Sequence, residues 1–247
     1  MKKIRSYKIL YAVVAVFFLL MAAQPAHARD FNNKLQNRPY ADMRKWHLGF
    51  SVGMYTADMR LAHNGFITET GAQWRIEQPD YQPGFAVTGL FNLRLNNYFS
   101  VRLSPGMLFG SYDFTMKDIN NPEADTQRQN LKTTYVILPI DVKFSAQRYR
   151  NSRPYMSAGV MPAFDVAKKR SDFLKFKTSD VYLSVALGCD FYLPYFKLIP
   201  ELKFCFGLTD LLVKDRPDLT DDPAKLVMTQ SLSRATSKMI VFSLYFE

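Results

Sequence analysis

The stretch DVYLSVALGCDFYLPYFKLIPELKFCFGLTDLL, residues 180–212, carries the pattern that decides the fold. Apolar residues alternate with small, polar or charged ones from Val181 to Phe191, and the alternation resumes from Leu198 to Leu208 after a short aromatic turn. Successive side chains of a strand point to opposite faces, so each half has one apolar and one polar face. Each half is about ten residues long, the length of a tilted strand that crosses a bilayer.

Six further segments show the same alternation, which brings the predicted number of strands to eight. These segments are residues 46–55, 84–95, 98–110, 133–144, 154–167 and 238–247. Short turns follow the second, fourth and sixth strands, whereas long polar connections such as 56–83, 113–131 and 213–237 follow the others. Alternating short turns and long loops are typical of outer-membrane barrels. We therefore predict an all-β fold, an eight-stranded antiparallel transmembrane β-barrel spanning residues 46–247.

The first 28 residues have the features of a cleaved secretory signal peptide. Four basic residues precede an apolar run, and Ala26 and Ala28 form an A-x-A cleavage site. An uncleaved anchor is the alternative. The four basic residues account for part of the net charge of +10. Residues 29–45 are predicted to form a periplasmic N-terminal extension, and an even strand number places both termini in the periplasm of an outer-membrane protein.

The polar faces of the predicted strands carry charges of both signs, at similar distances from the short turns. They are Arg94, Arg102, Asp141, Lys143, Asp165, Asp190, Glu201 and Lys203. Such charges can pair inside a narrow barrel, so we predict a lumen closed by a cluster of seven of them, all except Asp165. A secreted β-sandwich or lipocalin-like barrel is the rival, but these folds keep charge outside and an apolar core inside.

Signals for chemistry are sparse, and we expect no catalytic, cofactor or metal site. His47 and His63 lie at opposite ends of the first strand, where they cannot form a paired-histidine metal site. Asp58 with His63 leaves an enzyme as a formal alternative. Asp218, Asp221 and Asp222 match no calcium loop. The basic run at residues 168–170 is read as a solvated loop, with lipid or polysaccharide contact as its alternative.

The two cysteines are predicted to be free thiols. Cys189 lies on the apolar face of its strand and Cys205 on the polar face of the next, so they point away from each other. Nothing in the sequence resembles a nucleic-acid-binding module or a small-molecule substrate site.

Three segments resemble the PorT family of Bacteroidota outer-membrane β-barrel proteins. They are YADMRKWHLGFSVG (residues 40–53), DFYLPYFKLIPELKFCFGLTDLL (190–212) and SKMIVFSLYFE (237–247). The resemblance implies a component of the type IX, or Por, secretion system, which exports proteins with C-terminal sorting domains and supports gliding motility in some relatives. It implies outer-membrane lipids, other secretion components and secreted cargo as partners, and it transfers no catalytic or cofactor residue.

Barrel size adds a limit to that role. An eight-stranded barrel is only wide enough for its own side chains, so it cannot conduct a protein cargo. We therefore expect an accessory or assembly role. A structural or adhesive surface barrel without a secretion role stays open as the alternative, and an outer-membrane enzyme as a weaker one.

Overall fold

The computed structural model describes residues 36–63, 74–76, 80–118, 127–167, 176–213 and 232–247. The signal segment with Ala26 and Ala28, the basic run at 168–170 and the acidic residues at 218–222 lie outside these ranges. Residues Gln36–Glu247 form one compact unit. Among the described residues, no helix is long and apolar enough to span a membrane.

A short 3₁₀-helix, Ala41–Met43, precedes twelve β-strand segments. The segments are β1 (Trp46–His63), β2 (Trp74–Ile76), β3 (Asp80–Tyr81), β4 (Gly84–Arg94), β5 (Phe99–Leu103), β6 (Gly106–Asp118), β7 (Gln127–Ile137), β8 (Ile140–Ser145), β9 (Ser152–Asp165), β10 (Ser179–Tyr192), β11 (Lys197–Gly207) and β12 (Leu232–Phe246).

These segments form the wall of a closed antiparallel barrel with eight staves, where a stave is one crossing of the wall. β5 and β6 make up one stave and β7 and β8 the next, while β2 and β3 are short additions that pair with β6. Each stave pairs with its neighbour along the chain, and β12 pairs with β1, from Phe50 opposite Phe246 onwards. The predicted eight-stranded fold is confirmed.

The side-chain alternation sorts residues between the outside and the inside of this wall. Along β10 the pattern runs strictly exposed and buried from Ser179 to Leu187. The exposed residues are mostly apolar, as on the outer belt of a membrane barrel. This belt includes Leu48, Phe50, Met54, Phe85, Phe91, Val142, Phe144, Met156, Val160, Leu183, Val185, Leu187 and Phe242.

Prolines interrupt two staves at neighbouring positions. Pro105 separates β5 from β6 and Pro139 separates β7 from β8, because proline has no N–H to donate to the ladder. The backbone N–H of Ser104 still donates to the carbonyl of Pro139, and that of Leu138 donates to Pro162. The wall therefore stays continuous across both breaks.

Several strands extend further than the sequence pattern predicted. β1 continues to His63, and β6 and β7 cover most of the predicted loop 113–131. β12 likewise begins at Leu232, inside the predicted loop 213–237. The prediction was wrong here because it followed the apolar belt, whereas strand pairing continues beyond the belt. At about 3.4 Å per residue, the 18 residues of β1 span about 60 Å along the strand.

The three short turns lie together at one end of the barrel, called the short-turn end below. They connect β4 to β5, β8 to β9 and β10 to β11. In the first of them, Asn96 accepts backbone hydrogen bonds from Tyr98 and Phe99 at 2.8 and 2.7 Å, which fixes a tight reversal. Residues 36–45 and the final residue, Glu247, lie at this same end.

Candidate functional site

The interior of the barrel toward the short-turn end is filled by charged side chains of balanced sign. Six of the seven residues proposed for a lumen cluster lie here, and each is at least 95% buried. They are the cations Arg102, Lys143 and Lys203 and the anions Asp141, Asp190 and Glu201. The seventh, Arg94, does not join them. It is the last residue of β4, half-buried, and contacts Asn97 of the first short turn and the backbone oxygen of Asp42.

The contact between Arg102 and Glu201 crosses the full width of the lumen. Arg102 is on β5 and Glu201 on β11, and three staves lie between them in either direction around the wall. The Tyr155 hydroxyl donates to the Glu201 carboxylate at 2.6 Å. The guanidinium carbon of Arg102 lies 4.9 Å from the ring centre of Tyr245, in cation–π range. A path for water or polypeptide along the axis is therefore blocked at this level.

Two lysines complete the ion pairs of the layer. Lys203 lies 2.6 Å from Asp141, which also accepts a hydrogen bond from Ser184 at 2.9 Å. Lys143 contacts both oxygens of Asp190, at 2.7 and 2.8 Å. Each buried charge thus has a partner of opposite sign, which is the condition for keeping ionised groups in a low-dielectric interior.

A hydrophobic layer with several tyrosines fills the lumen between this ionic layer and the long-loop end. Its buried members include Tyr55, Met59, Leu108, Tyr112, Tyr135, Met161, Tyr182 and Met239. The Tyr55 ring lies over Gly84 and Gly110, at positions where a Cβ of either residue would overlap it. Glycine is needed there because the ring packs directly on the backbone. Asp165, which the sequence also placed on the polar face, is buried at the end of β9.

Residues 36–45, called the cap segment below, lie across the short-turn end. The Asn37 backbone N–H donates to Asn151 at 2.9 Å, and its side chain donates to the carbonyl of Tyr192 at 3.0 Å. Arg148 donates to the carbonyl of Arg38 at 3.3 Å and also contacts that of Asn37. This part of the predicted extension is therefore bound to the barrel, and residues 29–35 lie outside the described ranges.

Asp42 is the electrostatic centre of the cap segment. Its carboxylate accepts a hydrogen bond from Tyr192 at 2.6 Å and lies 3.5 Å from Lys197, 3.6 Å from Arg153 and 3.9 Å from Arg148. Burial alone would raise the pKa of Asp42. The hydrogen bond and the three cations outweigh burial, so the pKa of this carboxyl is lowered.

Glu247 makes a second ionic contact at the same end. Its carboxylate lies 2.6 Å from Lys197 and 3.0 Å from Nδ1 of His47, and its backbone oxygen accepts a hydrogen bond from Arg38 at 3.1 Å. Burial would raise the pKa of Glu247, but Lys197 and His47 lower it overall. Lys197 thereby joins the cap segment to the end of β12.

The structure gives no constellation for catalysis in the parts it describes. His47 contacts the Glu247 carboxylate, and the side chain of His63 is not among those that the structure describes. Across residues 36–63, 80–113 and the later described ranges, no group of histidine, cysteine and acidic residues could hold a metal ion. Cys189 and Cys205 are both buried and free. The interior is arranged to fill and brace the barrel.

A family model for the outer membrane protein beta-barrel domain matches residues 27–213, about three quarters of the sequence. The chain belongs to this family. The match ends before β12, the stave that closes the barrel against β1. No protein of curated function matches the sequence.

Solved structures of other outer-membrane proteins resemble this barrel. OprG of Pseudomonas aeruginosa aligns with a TM-score of 0.42 and 14% identity over 81% of this chain and 92% of its own. The Neisserial surface protein A aligns with 0.40 and 11% identity, over 82% and 98%. The outer membrane protease OmpT of Escherichia coli aligns with 0.44 and 12% identity, over 81% and 94%. At these values the likenesses carry no argument about activity.

Proposed function

We propose that this outer-membrane barrel is a non-enzymatic accessory component of type IX secretion, needed for the export or maturation of proteins with C-terminal sorting domains. The resemblance of residues 40–53, 190–212 and 237–247 to the PorT family supports the secretion role. The Arg102–Glu201 contact supports an accessory role rather than a conduit, because it joins opposite staves across the lumen. Partners would therefore be bound at the two ends or along the outer wall.

The cap segment supports a contact role at the short-turn end. Its Tyr40 and Met43 side chains are 73% and 68% exposed, although the backbone around them is fixed to the barrel by Asn151 and Arg148. A rigid segment with exposed apolar side chains suits the binding of another secretion component. We propose that this end and both termini face the periplasm.

Deletion of the gene tests the secretion role directly. We expect cargo proteins with sorting domains to accumulate unprocessed in the periplasm of the deletion strain, and the wild-type gene to restore their export. Tyr40→Ser with Met43→Ser, on the exposed face of the cap segment, is expected to reproduce part of the defect. The matched control is Leu183→Val, which changes the exposed outer belt conservatively and lies away from the cap segment. Normal export without the gene would instead favour a structural or adhesive surface barrel.

Conductance measurements separate the accessory role from a conduit. The wild-type barrel reconstituted in a planar bilayer should show no wide water-filled channel, whereas a porin measured alongside it should. Large conductance steps from the wild-type barrel would contradict the filled lumen. If the wild-type protein has an enzymatic activity that a folded His63→Ala variant lacks, the non-enzymatic assignment is contradicted.

A further inference from the structure

A basic groove lies beside the start of β1, at the short-turn end. It has a volume of about 610 Å³, and its lining includes Arg38, Arg44, Lys45, Trp46 and Leu48. Clefts of this size accommodate small molecules or parts of larger ones. His47 and Glu247 also line it, but they contact each other at 3.0 Å. The groove residues that are available to a ligand are therefore the basic and apolar ones.

The groove carries unbalanced positive charge. The one acidic residue of its lining, Glu247, is already paired with Lys197 and His47. Arg44 and Lys45 form no ion pair with any residue that the structure describes, and both side chains are exposed. Two adjacent cations, next to a carboxylate that already has positively charged and imidazole partners, favour an anionic ligand. A guanidinium and an ammonium group are both suited to phosphate.

The apolar part of the groove belongs to the lipid-facing belt. Trp46 and Leu48 are 58% and 61% exposed, and both point outward with Phe50, two residues further along β1. Tryptophan is enriched at the level of lipid headgroups, and the belt beyond it lies in the acyl chains. Arg44, which is also in an extended conformation, precedes Trp46 by two residues, or about 7 Å of chain. The cations thus lie at the height of the lipid phosphates.

We propose that this groove binds an anionic phospholipid from the leaflet at the short-turn end. Arg44 and Lys45, with Arg38 beside them, hold the headgroup phosphate, and Trp46 and Leu48 contact the first part of an acyl chain. Because Arg38 also contacts the Glu247 backbone, a bound lipid would be connected to the residues that hold the cap segment in place. This inference does not depend on the secretion role.

Fluorescence quenching by brominated lipid tests the site. The chain has two tryptophans, so a Trp74→Phe variant leaves Trp46 as the single reporter. This variant is reconstituted in vesicles that contain either phosphatidylglycerol or phosphatidylcholine in brominated form, at equal mole fractions. We expect phosphatidylglycerol to quench Trp46 with a relative affinity several-fold above that of phosphatidylcholine. One basic residue near an anionic surface contributes a factor of about five.

Charge variants assign the preference to the groove. Arg44→Gln with Lys45→Gln should abolish the preference, whereas Arg60→Gln with Lys132→Gln, which removes two exposed cations further along the barrel wall, should keep it. Heat-modifiable electrophoretic mobility checks that each variant is folded. Equal quenching by both lipids in the Trp74→Phe protein overturns the proposal, and so does an unchanged preference after the groove substitutions. Loss of preference in millimolar inorganic phosphate assigns the site to free phosphate and also overturns it.

Discussion

Replacing Arg102 by methionine tests whether the contact across the lumen stabilises the barrel. Arg102 has no exposed surface and Glu201 is 1% exposed, so the substitution leaves a carboxylate without its main partner in a low-dielectric interior. Breaking a buried ion pair in this way destabilises a protein by about 3–5 kcal/mol. Glu201 keeps the Tyr155 hydroxyl at 2.6 Å and the Lys203 ammonium at 3.6 Å. We therefore expect the lower end of that range, about 3 kcal/mol.

A double-mutant cycle isolates the pair itself. Glu201→Gln alone should also destabilise by about 3 kcal/mol, because it leaves the Arg102 guanidinium buried without a counter-charge. The double variant should be more stable than the sum of the single changes predicts, with a coupling free energy of about 2 kcal/mol, since contacting residues couple by about 0.5–3 kcal/mol. Urea-induced unfolding in lipid vesicles, followed by tryptophan fluorescence and heat-modifiable mobility, measures all four proteins.

The exposed Arg234 on β12 provides the matched control. Its replacement by methionine should change the free energy of unfolding by less than about 0.5 kcal/mol, because surface substitutions away from special contacts have small effects. If the Arg102 and Glu201 substitutions instead add within about 0.5 kcal/mol, the two side chains do not interact. The account of a lumen closed by that contact is then refuted.

Three further outcomes test the cap segment, the interior packing and the thiols. Asp42→Asn should raise the hydrogen-exchange rate of the cap segment about fivefold at neutral pH, since partly exposed ion pairs contribute about 1 kcal/mol. Because folding lowers the pKa of Asp42, the wild type should lose this protection only below about pH 4, and the variant should show no such step. Equal exchange rates in the wild type and the variant at neutral pH would contradict the ionic role of Asp42. Gly188→Ala should destabilise by about 1–3 kcal/mol, as a tyrosine hydroxyl occupies the space of its Cβ, whereas a Cβ at Gly89 meets nothing closer than 3.7 Å and serves as control. Cys189 and Cys205 should react with a maleimide only after unfolding, and rapid labelling of the folded barrel would contradict their burial.

Side-chain alternation was sufficient to predict the barrel and the contents of its interior. It identified the face of each strand, and with eight staves those polar faces must meet inside the wall. Alternation does not indicate the position of a residue along the barrel axis, however, and Arg94 is an example. It shares its face with Asn92, but it is the last residue of β4 and therefore contacts the turn instead of the ionic layer.

Contacts between residues far apart in the sequence were beyond such a prediction. Asp42 meets Arg148, Arg153 and Lys197, which belong to two different turns and strand ends more than 100 residues away. The sequence predicts residues 29–45 only as a periplasmic extension, because nothing in its own composition shows which surface of the barrel binds it. The available signal for this contact was the number of basic residues in and next to the short turns, which lie together at one end of the barrel.

The side chains that fill the lumen along the barrel axis limit where this protein can bind a partner. A hydrophobic layer with several tyrosines fills the lumen near the long loops, three ion pairs lie between that layer and the short-turn end, and the cap segment covers the short-turn end. Each layer is held by its own set of contacts, so no single substitution is expected to open a continuous path. Binding must then occur on surfaces that the barrel presents to the membrane and to either compartment. Among the surfaces of the described residues, the exposed side of the cap segment and the basic groove stand out by their chemistry, and they share Arg38, Arg44 and Lys45.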